Sequence, residues 1–362
     1  MVAGHGGGGR RVVWEIRSVE WVRRQIGQAD WQGIRAFSKR TMLSGKRGLV
    51  FGVANKHSIA WAIAEAWRAH GADVAVVCQN ERTRAAVEKG LAAAAMGRAS
   101  DDDGDGGCDF VPSTPCTLVC DVARDGDVAA AVAQASAALA RNEALRRGSG
   151  SGSGGGGGIA SIDSAVDGLG GGGRLDMVAH AVAFAPPAAL RGRVLDTSWE
   201  DFATAQRVSA YSLIEVARET APLMTGGGSI TALSFLGAQR VVPGYNVMGV
   251  AKASLEALAR QLAAELGGAG IRVNCVSPGP VRTVSARGIR GFADMARRHN
   301  DVAPLGRSCD QGEVAETVSF LASAGAASIT GQTLFVDGGY SCMGGAPPNV
   351  VDGADGADGS NG

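Results

Sequence analysis

From Lys46 onward, short unbroken apolar runs alternate with longer segments in which apolar positions recur every three or four residues. Residues 47–53 read as a buried strand, and residues 58–70 as a helix with Ile59, Ile63, Ala66 and Trp67 on one side. The alternation continues with strands at 73–78, 117–120, 175–181, 228–233, 271–276 and 333–336, and with helices at 81–95, 125–140, 199–223, 244–266, 286–299 and 313–322. Parallel neighbours need crossover connections, so seven strands separated by helices predict a Rossmann-like, doubly wound α/β fold, a parallel sheet with helices on both faces. On such sheets ligands sit beyond the carboxyl ends of the strands, and the loops that follow each strand should carry the chemistry.

Glycine bounds this domain. Its 55 residues cluster at 4–9, 104–107, 148–158, 168–173 and in the final Gly-Ala-Asp repeat. Such stretches bury too little apolar surface to offset ordering. They predict inserts near 97–113 and 142–174 and a tail at 344–362, leaving one domain over 43–343. The first 42 residues are basic, with Val12, Ile16, Val19 and Ile26 at helical spacing. Ending in Arg35-Ala36-Phe37-Ser38, they resemble an organelle presequence, mitochondrial or plastid. The other reading is an unrelated extension on a cytoplasmic protein.

Thirty-five basic residues balance thirty-five acidic ones, so no global charge points to nucleic acid, and no apolar run is long enough to span a membrane. Seven cysteines at irregular positions do not form a disulfide framework; Cys116 and Cys120 lack further ligands at metal-site spacing, and no metal is expected.

The loops give candidate residues in chain order. After the first strand, Gly52 permits close backbone approach, and Ser58 and Ile59 open a helix whose amides favour a pyrophosphate. The loop is not G-x-G-x-x-G. Gln79-Asn80-Glu81 follows the second strand, where an adenosine ribose would be read; Glu81 would repel a 2'-phosphate and favours NADH over NADPH. Asp121-Val122 can meet an adenine amino group and ring, and Ala181-Val182-Ala183 keep side chains small where a cofactor would pass. Pro243-Gly244 then leads into an apolar helix carrying Tyr245 and Lys252. A seven-residue separation turns roughly 700° and rises roughly 10 Å, so the two share a face. A phenol and an ammonium so placed can serve a reacting oxygen and a sugar hydroxyl of one extended ligand.

Together, Gly52 to Ala60, Gln79-Asn80, Cys120-Asp121-Val122, Phe184-Ala185-Pro186, Tyr245 to Lys252, Gly279-Pro280-Val281-Arg282-Thr283 and Val336-Asp337-Gly338-Gly339 resemble the enoyl-acyl-carrier-protein reductases of the short-chain dehydrogenase superfamily. The Tyr245-x6-Lys252 spacing is the most specific part. Ordinary short-chain dehydrogenases have Lys where this chain has Gly249, and Ser where it has Ala232. The resemblance implies NADH-dependent reduction of trans-2-enoyl thioesters on acyl carrier protein, by a homotetramer. Tyr245 would donate to the thioester oxygen, and Lys252 would hold the nicotinamide ribose and favour the ionised phenol. Gly279, Val281 and Thr283 would receive the carboxamide and pyrophosphate, and Val182 would line the cofactor. Phe184, Ala185, Phe235 and Met248 would line the acyl pocket.

Two positions depart from the family pattern. Phe235 stands where many members have a second Tyr and is read as a wall of the acyl pocket, and Ala183 stands where Gly is common. Six arginines between 282 and 307 face two acidic residues, a local charge suited to an acidic carrier protein, or else a solvated helix face. A 3-ketoacyl reductase and an inactive NAD-binding scaffold are the alternative functions.

Overall fold

The computed structural model describes residues 42–99, 115–149, 173–283 and 291–345. The expected leader, the Gly-rich centres of both inserts and the tail from 346 lie outside the described residues.

Seven strands form one all-parallel sheet: β1 (Arg47–Phe51), β2 (Asp73–Cys78), β3 (Cys116–Val119), β4 (Met177–His180), β5 (Gly228–Leu233), β6 (Ile271–Pro278) and β7 (Thr333–Val336). Their spatial order is β3-β2-β1-β4-β5-β6-β7. Side chains alternate between the faces. Leu49 and Phe51 of β1 join one buried cluster, and Val50 joins the other.

The helices are α1 (Ile59–Ala69), α2 (Glu81–Ala99), α3 (Asp127–Ser149), α4 (Pro187–Arg191), α5 (Trp199–Gln206), α6 (Ser212–Thr220), α7 (Asn246–Leu266), α8 (Phe292–Val302) and α9 (Gln311–Ala322). One face of the sheet is covered by α3, α6 and α7 through Val132, Leu139, Leu213, Val216, Leu255 and Ala259. The other is covered by α1, α2 and α9 through Ile63, Trp67, Val87, Val314 and Val318. This is the doubly wound arrangement the alternation predicts.

The short helix α4 has no counterpart among the expected elements, and three expected helices differ. The single helix predicted at 199–223 is interrupted by a π turn, Arg207–Tyr211, and finishes as a 3-10 turn at Ala221–Leu223. Within that interruption Ser209 turns its hydroxyl to the backbone of Phe184, and Ser212 bonds back to the Val208 carbonyl at 2.8 Å, contacts that compete with regular helix geometry. The central helix begins at Asn246, not Gly244, so Tyr245 precedes it. The helix predicted at 286–299 runs from Phe292 to Val302; residues 284–290 are outside the described residues. The remaining boundaries differ by a few residues, most at the inserts, where α2 and α3 continue past their predicted ends.

Candidate functional site

The strand order reverses direction between β1 and β4, the place where connections to the two sheet faces part and a crevice opens. A cleft of about 370 Å³ lies there. Of the expected cofactor residues, Gly52, Gln79, Asp121, Val122, Ala181, Val182 and Ala183 line it, and so does Phe184, expected in the acyl pocket. Gly52 has φ of 91°, and a Cβ there would run into the Ala181 carbonyl. The backbones after β1 and β4 approach this closely only because that position is glycine.

Ser58 caps α1, accepting from the Trp61 amide at 3.2 Å and donating to the Asn55 carbonyl at 2.7 Å. Its hydroxyl is therefore committed to the chain, while Ile59 opens a first turn whose amides have no intrahelical partner. Asn80 turns away to cap α2, accepting from the Thr83 amide at 2.9 Å, so Gln79 is what the second loop offers the cleft. Glu81, expected to repel a 2'-phosphate, is paired with Arg84 at 2.9 Å. Asp121 accepts from the Ala123 amide at 3.1 Å. Small side chains, a glycine cradle and a helix N-terminus suit an extended dinucleotide with a pyrophosphate at its middle.

Tyr245 stands just before α7 and Lys252 lies on it, and neither lines this cleft. Gly244 (φ 80°) and Asn246 (φ 40°) bend the entry, and Asn246 Nδ2 fixes it by donating to the Gly192 carbonyl at 2.7 Å. The Tyr245 ring meets Phe235 edge-on, with centroids 4.8 Å apart. Lys252 is 3% exposed, and its Nζ donates to the Leu233 carbonyl at 2.6 Å. Both side chains thus converge on residues 233–237, at the carboxyl end of β5. Among the described residues the Tyr245 hydroxyl makes no hydrogen bond.

Burial pushes the Tyr245 phenol above the usual tyrosine range, which corrects the expectation that Lys252 favours its ionised form. Burial also lowers Lys252 to about 8, opposed by Cys275 and Glu256. His180, at the end of β4 and fully buried, is lowered to about 3 by burial and then by Lys252, so it is neutral, with Nε2 2.8 Å from Ser212 Oγ.

The expected acyl-side residues divide. Ala185 and Met248 are buried together in a separate apolar cluster with Tyr245 packed on it. Phe235 instead borders a small cavity of about 40 Å³ shared with Gly279, Pro280, Met295 and His299. Gly279 and Val281 follow β6 rather than lining the main cleft; Val281 is buried, and the Thr283 amide donates to the Val281 carbonyl at 2.9 Å. Of the six arginines, Arg297 pairs with Asp294 at 2.8 Å and Arg307 with Glu313 at 2.7 Å, while Arg298 is exposed and Arg287 and Arg290 lie outside the described residues.

Sequence reasoning missed Ser209 and Glu256. Ser209 is fully buried; it donates to the Phe184 carbonyl and accepts from the Phe184 amide, both at 2.9 Å. Nothing in the pattern marks it. Glu256 did leave a signal, a charge on the apolar flank of α7 one turn after Lys252. Among the described residues there is no cluster of metal-type ligands, and six of the seven cysteines, those described, are free thiols.

A family model described as enoyl-(acyl carrier protein) reductase matches residues 159–341. The enoyl-acyl-carrier-protein reductase (NADH) FabI of Nostoc sp. is 39% identical over 303 residues, 83% of this chain and 98% of its own. The solved reductase of Anaplasma phagocytophilum in complex with NAD superposes with a TM-score of 0.65 at 34% identity, covering 85% of this chain and 98% of that one. The Bacillus cereus reductase with NADP+ and indole naphthyridinone gives 0.66 at 37%, covering 84% and 99%. The chain belongs to the enoyl-acyl-carrier-protein reductase family.

Proposed function

We propose that the protein reduces the α,β double bond of trans-2-enoyl thioesters carried on acyl carrier protein, with NADH as reductant, in fatty-acid elongation. The observation that carries this reading is the convergence of Tyr245 and Lys252 on residues 233–237, at the family's spacing, with Lys252 acting on His180, the residue before the cleft-lining Ala181. Ala232 leaves no side-chain hydroxyl where ordinary short-chain dehydrogenases carry a serine, whereas Phe235 departs from the second tyrosine that many enoyl reductases have.

When bound, the dihydronicotinamide supplies a hydride to the β-carbon. The π electrons of the double bond then move toward the carbonyl, and negative charge develops on the thioester oxygen. Tyr245, protonated at neutral pH and held further from ionisation by burial, donates a hydrogen bond to that oxygen, and the α-carbon takes up a proton from solvent water. Partial exclusion of water strengthens the bond. Lys252 has three N–H donors, one spent on the Leu233 carbonyl, and the others are available to the ribose hydroxyls. Gly52, the first turn of α1 and residues 181–183 hold the pyrophosphate and keep the approach narrow. Ala185 and Met248 present apolar surface to the acyl chain. Gly279, Val281 and Thr283 are proposed to meet the carboxamide from the end of β6.

The acyl carrier protein is acidic, and the exposed Arg298 on α8 gives its approach a positive contact. Residues 1–42 are proposed to be an organelle presequence, and α5, α6 and α7 the contacts of a homotetramer. Among the described residues no helix is long and apolar enough to cross a membrane.

Four outcomes are expected. Crotonyl- or dodecenoyl-thioester should support NADH oxidation where acetoacetyl-thioester does not, NADPH should serve less well, and Tyr245→Phe should lose about 10²- to 10³-fold in kcat; turnover of the ketoacyl substrate instead would select the 3-ketoacyl reductase. Lys252 is cationic below its pKa of about 8 and neutral above it. KM for NADH should therefore rise as pH climbs through that value, and a flat profile would separate Lys252 from the ribose. Arg298→Glu should raise KM for carrier-bound substrate about three- to tenfold and leave coenzyme A substrate unchanged. Intact-mass analysis of the mature protein, with light scattering, should find residues near 1–42 removed and four chains per particle.

A further inference from the structure

Helix α7 carries a second buried charge without a role in the scheme above. Glu256 lies one turn beyond Lys252 on the same face and is 4% exposed. A carboxylate persists in such surroundings only when its oxygens are satisfied. Here each has its own donor. Ser234 Oγ donates to Oε1 at 2.6 Å, and Gln239 Nε2 donates to Oε2 at 2.9 Å.

The two donors stand at opposite ends of one short turn, residues 234–239, with a 3-10 segment, Leu236–Ala238, inside it. That turn is the surface on which Tyr245 rests. Phe235 meets the tyrosine ring edge-on, and a Cβ added at Gly237 would fall 2.5 Å from the ring's Cδ1. The chain from Glu256 to the phenol is therefore continuous: carboxylate, two charge-assisted hydrogen bonds, the turn they close, and the ring packed against it.

We propose that Glu256 is a positioning residue for the reduction, clasping both ends of the 234–239 turn and so fixing the wall that aims the Tyr245 hydroxyl. The inference rests on the reading of Tyr245 as donor to the thioester oxygen. A hydroxyl that must meet developing charge tolerates little displacement, and errors of about 1 Å can cost about 10²-fold.

Ser234→Ala and Gln239→Ala each open one end of the clasp and leave the carboxylate charge in place. In both, kcat for a trans-2-enoyl thioester should fall about three- to tenfold with KM for NADH unchanged. Glu256→Ala should lose more, Glu256→Gln, which keeps an acceptor for Ser234, should recover part of it, and Ser234→Ala should cost nothing further in the Glu256→Ala background. Fluorotyrosine labelling reports on Tyr211, Tyr245 and Tyr340, the three tyrosines of the chain. Without cofactor, the Tyr245 fluorine resonance alone should move in Ser234→Ala and Gln239→Ala. Additive losses in the double variant, or a Tyr245 resonance that stays in place, would overturn the proposal. The resonance is read without turnover, so a wild-type protein inactive on enoyl thioesters counts against the enoyl-reductase reading while the spectrum still judges the clasp.

Discussion

A lysine ammonium and a glutamate carboxylate, both almost fully buried and one turn apart on α7, set the terms for the rest of this structure. Neither charge is tolerated inside a protein without partners. Both find them in the same place, the chain that leaves the carboxyl end of β5: Lys252 on the Leu233 carbonyl, Glu256 on Ser234 and Gln239. Helix α7 is thereby locked to β5 in rotation and height. Tyr245, at the head of the same helix, follows.

The sheet supplies the other half of the site by topology. With β1 and β4 adjacent and their connections leaving to opposite faces, a cleft opens without any special residue to carve it. What special residues do is keep it narrow. Gly52 brings two loops into backbone contact, and residues 181–183 add little bulk. His180, one residue before the cleft-lining Ala181, has a ring that is buried, neutral and under the field of Lys252. A neutral ring suits a site already holding one cation, because a second would raise the cost of burying the first.

Much of this was legible in the chain. Buried strands declare themselves as short apolar runs: the five inner strands β1, β2, β4, β5 and β6 are almost wholly buried, and the partly exposed edge strands β3 and β7 still read as apolar runs. The Tyr/Lys spacing was legible as helix geometry, although Tyr245 proves to stand just before the helix, where Asn246 takes a positive φ and anchors on the Gly192 carbonyl. That anchor joins residues 54 apart, and no local pattern records it. The π turn at Arg207–Tyr211 was illegible for the same reason. Ser209 reads as an ordinary helical serine until Phe184, 25 residues earlier, offers its backbone. Asn80 is the reverse case: its place in the ribose-reading loop was visible, its commitment to capping α2 was not.

The chemistry assigned to Tyr245 depends on which form of the phenol the site stabilises. A neighbouring cation would favour phenolate, but Lys252 directs Nζ at the Leu233 carbonyl, while burial raises the phenol. The hydroxyl, protonated at neutral pH like any phenol, is held further from ionisation by burial. For a reaction in which charge appears on the substrate oxygen, a protonated donor is the useful state: a phenolate would repel the forming enolate, whereas a neutral hydroxyl gains strength as the charge grows. Phe235 fits the same logic. A second hydroxyl there is unnecessary if one donor is held firmly, and an aromatic edge against the Tyr245 ring trades an alternative hydrogen bond for stiffness in the one that matters.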